Sequence, residues 1–261
     1  MTKYLWKSIN EIEKNLQKSR HILLLLDYDG TLASIANIPQ DTKLPEETKA
    51  ILDKLKTIEQ ITLGIVSGRG IYDIKKQIGI PEIVYAGNHG MEWEIDKKIY
   101  VMPDIGKTRE LYLKILSGFS DLENKYKGVF IEDKQVTISI HYRMLDRKLE
   151  PAFLREFETF ISPHLNSPLI KLLKSKMVFD ILPDVKWGKG TFINWLISTR
   201  KISPLTIYIG DDRTDEDAFS ELNDAITIKV GKGETGAKYY LNDTKDTILF
   251  LEWLYAQVKT T

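Results

Sequence analysis

The sequence predicts an α/β fold: a parallel-sheet core with helices on both faces, into which a smaller α+β domain is inserted. Three observations carry that prediction. Short apolar runs end abruptly in polar or glycine residues at 21–27, 61–68 and 205–212. The first two are separated by a segment with helical spacing, which makes a strand–helix–strand unit and hence a parallel sheet. Between the second and third runs the rhythm changes to helix, two strands, helix, two strands.

The first strand, "HILLLLD" at 21–27, has five consecutive apolar residues, as in a strand buried on both faces. In "PEETKAILDKLKTIEQ" at 45–60, Ile51, Leu52 and Leu55 share one helical face, and Pro45 suits the first turn. "ITLGIVSG" at 61–68 closes the unit, and "EIVYAGNHG" at 82–90 reads as a weaker strand. The segment 106–126 is helical by spacing. "GVFIEDKQVTISIHYR" at 128–143 reads as a hairpin with Glu132–Lys134 at or near its turn. "RKLEPAFLREFETFISPHL" at 147–165 is helical, with Pro151 in the first turn. "LIKLLKSKMVFDILP" at 169–183 is a strand pair turning near Lys174–Lys176. The expected core is therefore 1–104 and 184–261, and the insert 105–183. Ligands of open parallel sheets bind outside the carboxyl ends of the strands, where all three strong strands deliver their polar residues.

Composition narrows the function. The 261 residues carry 37 Lys plus Arg against 37 Asp plus Glu, so the basic excess usual in a nucleic-acid binder is missing. The 43% hydrophobic content is enough for a substantial core, but the apolar runs are far short of a membrane span. The chain has no cysteine, which excludes disulfides and thiolate metal sites and fits a reducing compartment. The charged N-terminus does not read as a signal peptide, so the expectation is a cytoplasmic protein acting without nucleic acid or membrane.

Four short stretches end strands or begin helices with chemically useful groups. "DYDGT" places Asp27 and Asp29 two residues apart at a strand end, before a turn-permitting Gly30. It is not an EF-hand loop, because the twelfth position is Ile38 rather than Glu. "GDDRTDEDAF" holds five acids within seven residues after the 205–210 strand. Asp215, Glu216 and Asp217 suit the first turn of a helix, where negative charge is favourable. Asp211 and Asp212, at the strand end itself, would meet Asp27 and Asp29 across neighbouring strands, and their hard oxygens suit Mg²⁺. Ser67 offers a hydroxyl for a phosphate oxygen, and Lys189, between two glycines, an ammonium for an anion. Alone, each has an ordinary structural role: turn, cap or surface lysine.

Taken together, DxDGT, then Ser67, then Lys189, then GDD resemble the haloacid dehalogenase-like phosphotransferases with a large type-two cap inserted between the serine and the lysine. The resemblance narrows to trehalose-6-phosphate phosphatases on "DYDGTL", "SGR" (Ser67–Arg69), "GNHGME" (Gly87–Glu92), "HYR" (His141–Arg143), "SKMVFDILP" and "GDDRTDEDAF". It implies a Rossmann-like core and makes the insert a substrate-specificity cap. It implies that Asp27 is the nucleophile of an aspartyl-phosphate and Asp29 the acid and then base. Ser67 and Lys189 would bind phosphoryl oxygens. Mg²⁺ would be held by Asp27, the Asp29 carbonyl and Asp211, with Asp212 in support. Sugar contacts would come from Arg143, Lys176 and Asp180 in the cap and Arg69, Asn88, His89 and Glu92 in the core. The small-molecule partner would be a sugar phosphate, and a trehalose-phosphate synthase would be a natural protein partner.

Two positions depart from the family pattern. Asp180 replaces the usual Glu, and Leu182 a usual basic residue. Phosphatases for sucrose phosphate, glucosylglycerol phosphate or mannosyl-3-phosphoglycerate therefore stay open as alternatives, as does a phosphomutase. A non-catalytic sugar-phosphate-binding domain would be expected to lack an aspartate or the lysine, and all are present here.

Overall fold

The computed structural model describes residues 2–36, 41–102, 105–175, 177–199 and 203–259. The chain divides into two compact units, Met1–Tyr100 with Trp187–Thr261, and Val101–Lys186.

The first unit is built on a sheet of nine strands among the described residues. In chain order they are β1 (Lys3–Tyr4), β2 (Ile22–Leu26), β3 (Ile61–Val66), β4 (Val84–Gly87), β5 (Glu92–Ile95), β6 (Lys98–Val101), β11 (Leu205–Gly210), β12 (Ile226–Val230) and β13 (Tyr239–Leu241). Their spatial order is β1-β13-β12-β11-β2-β3-β4-β5-β6. Pairing is parallel from β1 across to β4 and antiparallel between β4 and β5. β2 lies at the centre, with Leu26 opposite Ile209 of β11 on one side and Ile65 of β3 on the other.

Alternation along β2 sorts its side chains into two cores. Ile22, Leu24 and Leu26 pack with α1 (Ile9–Lys18), α2 (Glu46–Lys56), α3 (Ile71–Ile78) and α8 (Thr244–Lys259). Leu23 and Leu25 face the other way, onto Phe192, Ile193 and Leu196 of α6 (Lys189–Ser198), Ala218 and Phe219 of α7 (Arg213–Glu221) and Leu222 just after it. Each fully buried leucine adds about 1.5–3 kcal/mol over an exposed one, so β2 is anchored from both faces and the position of its carboxyl end is well determined. None of the helices among the described residues is long and apolar enough to cross a membrane.

The second unit has α4 (Ile105–Lys125), β7 (Phe130–Asp133), β8 (Ile138–His141), α5 (Glu150–Leu165), β9 (Ile170–Ser175) and β10 (Val178–Pro183). The strands form an antiparallel sheet in the order β7-β8-β10-β9. Tyr112, Ile115 and Phe119 of α4 and Phe153, Phe157 and Ile161 of α5 cover Ile138, Ile140, Phe179 and Ile181. Pro151 lies in the first turn of α5. The β7–β8 turn falls slightly later than expected: Lys134 N–H bonds the Thr137 carbonyl and Gln135 has φ 68°, so Glu132 stays in the strand. In the β9–β10 hairpin Val178 pairs with Ser175, and Met177 has φ 66°. Lys176, expected at this turn, lies outside the described residues.

Candidate active site

Strands β2, β3 and β11 run parallel and adjacent, so their carboxyl ends share one edge. Asp27 leaves the end of β2 with its N–H bonded to the Ile209 carbonyl at 2.9 Å. The chain then curls tightly. The N–H groups of Thr31, Leu32 and Ala33 all donate to the Tyr28 carbonyl, and Gly30 N–H donates to Ala33. Gly30 has φ +84°, and a β-carbon there would stand 2.0 Å from Asp211 Oδ2. This close approach brings the two acidic stretches together, and it requires glycine.

Lys189 begins α6 and is 3% exposed. Its ammonium donates to Asp27 Oδ1 at 2.8 Å and to Asp215 Oδ1 at 2.8 Å. Asp215 is completely buried. Its Oδ1 also accepts the Tyr208 hydroxyl, and its Oδ2 accepts the N–H groups of Asp211 and Asp212 at 2.9 and 3.0 Å. Lys229 of β12 donates to the Asp211 carbonyl. One oxygen each of Asp27, Asp211 and Asp215 lies within 4.8 Å of the others.

Three carboxylates against one ammonium leave this pocket short of positive charge. Burial pushes the Asp27 carboxyl well above its ordinary value, with Lys189 pulling back and Asp215 and Asp211 pushing further. Burial, then Asp215 and Asp212, push Asp211 up to about 8. Burial lowers the Lys189 pKa, but Asp215 and Asp27 outweigh that and hold it well above ordinary lysine. Asp211 Oδ1 is buried and has no hydrogen-bond partner among the described residues. An orphaned carboxylate oxygen beside a second carboxylate suits a small, hard divalent cation, which takes oxygen ligands and would supply the missing charge.

A family model described as trehalose-phosphatase matches residues 25–245, which include all of these groups. The chain belongs to the trehalose-phosphatase family. Trehalose-phosphate phosphatase B of Arabidopsis thaliana is 31% identical, over 92% of this chain and 68% of that protein. A solved trehalose-6-phosphate phosphatase related protein superposes with TM-score 0.79 at 25% identity, covering 92% of this chain and all of the other. The C-terminal domain of the C. albicans trehalose-6-phosphate phosphatase shares the fold at TM-score 0.85 and 22% identity, with 98% of each chain covered.

In this member of the trehalose-phosphatase family the acidic stretch after β11 divides its labour differently from expectation. Asp212, expected near the metal, caps α7: its Oδ1 accepts Thr214 N–H at 2.8 Å, the Thr214 hydroxyl at 2.7 Å and Asp215 N–H at 3.1 Å. Asp215, expected only as a helix-start acid, returns the capping bond and turns its other oxygen to Lys189. The sequence signal for this was available, because an N-cap Asp followed by an acid at the third helical position is a capping-box pattern.

Ser67 is buried at the end of β3, its Oγ accepting Arg69 N–H at 3.1 Å. His89 N–H donates to the Ser67 carbonyl and Asn88 N–H to the Arg69 carbonyl, so "SGR" and "GNHGME" form one edge. Asn88 and His89 have left-handed φ of 47° and 59°. Glu92 Oε1 accepts Asn88 Nδ2 at 2.6 Å and Ile71 N–H at 2.8 Å, tying the start of α3 to this turn. Burial raises its pKa, with those two bonds opposing. Arg69 pairs with Asp29 and Asp73.

Within the second unit, Asp180 lies on the face of β10 opposite the residues that α4 and α5 cover. Asp180 alternates with the core residues Phe179 and Ile181, is buried, and accepts the Ser139 hydroxyl. Arg143 lies two residues beyond the end of β8. On the same strand face His141 Nε2 meets Glu132 Oε2 at 2.9 Å.

Proposed function

We propose that this chain is a Mg²⁺-dependent phosphoric monoester hydrolase converting trehalose 6-phosphate and water into trehalose and phosphate through an aspartyl-phosphate. The observation that carries the reading is the buried Lys189 bridging Asp27 and Asp215, beside an Asp211 oxygen that has no hydrogen-bond partner among the described residues. Lys189 occupies Asp27 Oδ1 and leaves Oδ2 as the attacking atom. Phosphoryl transfer depends chiefly on positioning and charge neutralisation, and a buried ammonium offsets the repulsion between carboxylate and phosphate dianion.

In the first step Asp27 attacks phosphorus, the bond from phosphorus to the sugar oxygen breaks, and Asp29 gives that oxygen a proton. In the second, water attacks the phosphorus, the bond to Asp27 breaks, and Asp29 takes the water proton. Ser67 and Lys189 hold the phosphoryl oxygens throughout. Asp27, the Asp29 carbonyl and Asp211 would hold Mg²⁺, whose chemistry here is to neutralise charge on the transferring group. Asp215 orients Lys189 and the Asp211 backbone rather than binding metal, since both its oxygens are engaged. Asp212 supports through its cap of α7.

In this reading 105–183 is the substrate-specificity cap of a 1–104 and 184–261 catalytic core. The residues assigned to the sugar are Arg143, Lys176 and Asp180 of 105–183 and Asn88, His89 and Glu92 of the core. The basic, acidic and amide groups of such a lining suit sugar hydroxyls, which both donate and accept. A cytoplasmic site of action and a trehalose-phosphate synthase as supplier of substrate belong to the same reading, and co-purification with such a synthase tests the latter.

The decisive assay is phosphate release from a panel of phosphorylated sugars with Mg²⁺. Trehalose 6-phosphate should lead the panel, and Asp27→Asn or EDTA should abolish turnover. A much faster sucrose or glucosylglycerol phosphate would replace the substrate and leave the mechanism standing, whereas an isomerised phosphate would make the chain a mutase.

A further inference from the structure

Arg69 is expected, from the family motif, among the residues that line the sugar, but its side chain is committed elsewhere. Nε donates to Asp29 Oδ2 at 2.6 Å and Nη2 to Asp29 Oδ1 at 2.7 Å, a two-point pair. Nη1 donates to Asp73 Oδ2 at 2.7 Å. The guanidinium carbon lies 5.1 Å from the centre of the buried Tyr28 ring. The Arg69 side chain is 6% exposed, against 34% for Asp29 and 32% for Asp73. Its backbone is held as well, by Ser67 Oγ on the N–H and by Asn88 N–H on the carbonyl.

We infer that Arg69 is a positioning residue for Asp29, with Asp73 and the Tyr28 ring as its supports, rather than a contact to the sugar. The inference rests on the reading of Asp29 as the proton-transfer group. The Asp29 side chain is about one-third exposed, so without a partner its carboxylate would have room to turn about its side-chain bonds. Two parallel N–H bonds fix both the plane and the rotation of that carboxylate, which one bond or a point charge does not. Asp73 fastens the far side of the guanidinium and keeps it from swinging to the substrate phosphate, so Lys189 remains the cation for that role. Tyr28 lies between Asp27 and Asp29 in the chain, so its ring ties the support to the same turn that carries both aspartates.

The test exploits leaving groups. A sugar alkoxide needs a proton to depart, whereas p-nitrophenolate leaves without one, and both substrates form the same aspartyl-phosphate, whose hydrolysis needs Asp29 again. With p-nitrophenyl phosphate, Arg69→Ala should keep a first-turnover burst within about threefold of wild type, while steady-state release falls about 100-fold, the size of a typical general acid–base contribution. Single-turnover release of trehalose from trehalose 6-phosphate should fall about 100-fold as well. Arg69→Lys, which keeps the charge and loses the two-point geometry, should show the same pattern. Asp73→Asn should show it at about 10-fold, since it loosens the support without removing the pair. Because Arg69→Ala removes a buried side chain, these two milder variants also decide the matter if it does not fold.

A burst slowed as much as the steady state would overturn the inference, since that is the mark of a general structural or phosphate-binding role. So would a raised KM for trehalose 6-phosphate with kcat and the p-nitrophenyl reaction unchanged, since that is the mark of a sugar contact. A wild-type protein that releases phosphate from neither compound would instead refute the phosphatase reading.

Discussion

Replacing Lys189 by methionine removes the ammonium shared by Asp27 and Asp215 while keeping most of the side-chain volume. The three side chains are 1%, 6% and 0% exposed, so water cannot take over the lost contacts without rearrangement. At an effective dielectric near 20, each 2.8 Å contact represents about 6 kcal/mol of gross attraction. Much of that is offset by the cost of burying the charges and by proton uptake on the orphaned carboxylates. The net loss on removing one partner of a buried pair is about 3–5 kcal/mol, a large share of the roughly 5–15 kcal/mol that holds a typical domain folded. Urea unfolding in EDTA at pH 7, followed by tryptophan fluorescence, measures it directly.

The same experiment on Lys189→Met combined with Asp27→Asn isolates the electrostatic part. Neutralising Asp27 removes a like charge from beside Asp211 and Asp215, so the double variant should recover about 1–3 kcal/mol relative to Lys189→Met alone. A Lys189→Met variant within about 0.5 kcal/mol of wild type, with no coupling to Asp27, would refute the picture of a buried site short of positive charge.

The raised pKa of Asp211 gives the metal-free protein a recognisable pH profile. Its contribution to stability is fully present below the ordinary carboxyl value of 3.8 and is lost as pH rises through about 8. The melting temperature in EDTA should therefore fall from about pH 4 to about pH 8 and level off above that, and millimolar Mg²⁺ should remove most of that fall. Gly30→Ala should destabilise by about 1–3 kcal/mol in urea titrations, through its positive φ and the clash with Asp211, and should weaken Mg²⁺ binding in calorimetry. Asp211→Asn should abolish that calorimetric signal. Asp212→Asn should keep it and cost at most about 1 kcal/mol in stability, because asparagine is also a good helix cap.

Periodicity and local chemistry made the strong strands β2, β3 and β11, helix α2 and the alternating elements of the second unit readable, because each is written in residues close together in the chain. The positions of Asp27, Ser67, Lys189 and Asp211 were readable for the same reason: each polar group follows an apolar strand or opens a helix. The strands at and next to the two edges of the sheet, β1, β13, β5 and β6, gave weaker signals. They have two to four residues each, too few for alternation to stand out, and they form by pairing with neighbours already in place.

Hydrophobic pattern and spacing set strand direction and the order of chemistry along the chain, and with them which groups collect at one sheet edge. How those groups share the work depends on contacts between segments far apart in the chain. Asp212 and Asp215 are near-equivalent in sequence, but the start of α7 takes one as a cap and turns the other to Lys189. Arg69 belongs to a ligand-binding motif, but Asp29, Asp73 and the Tyr28 ring converge on it from separate segments. The difference is physical: a hydrophobic pattern sets where backbone goes, whereas the partner of a buried charge is chosen by whichever opposite charge the finished packing leaves within about 3 Å.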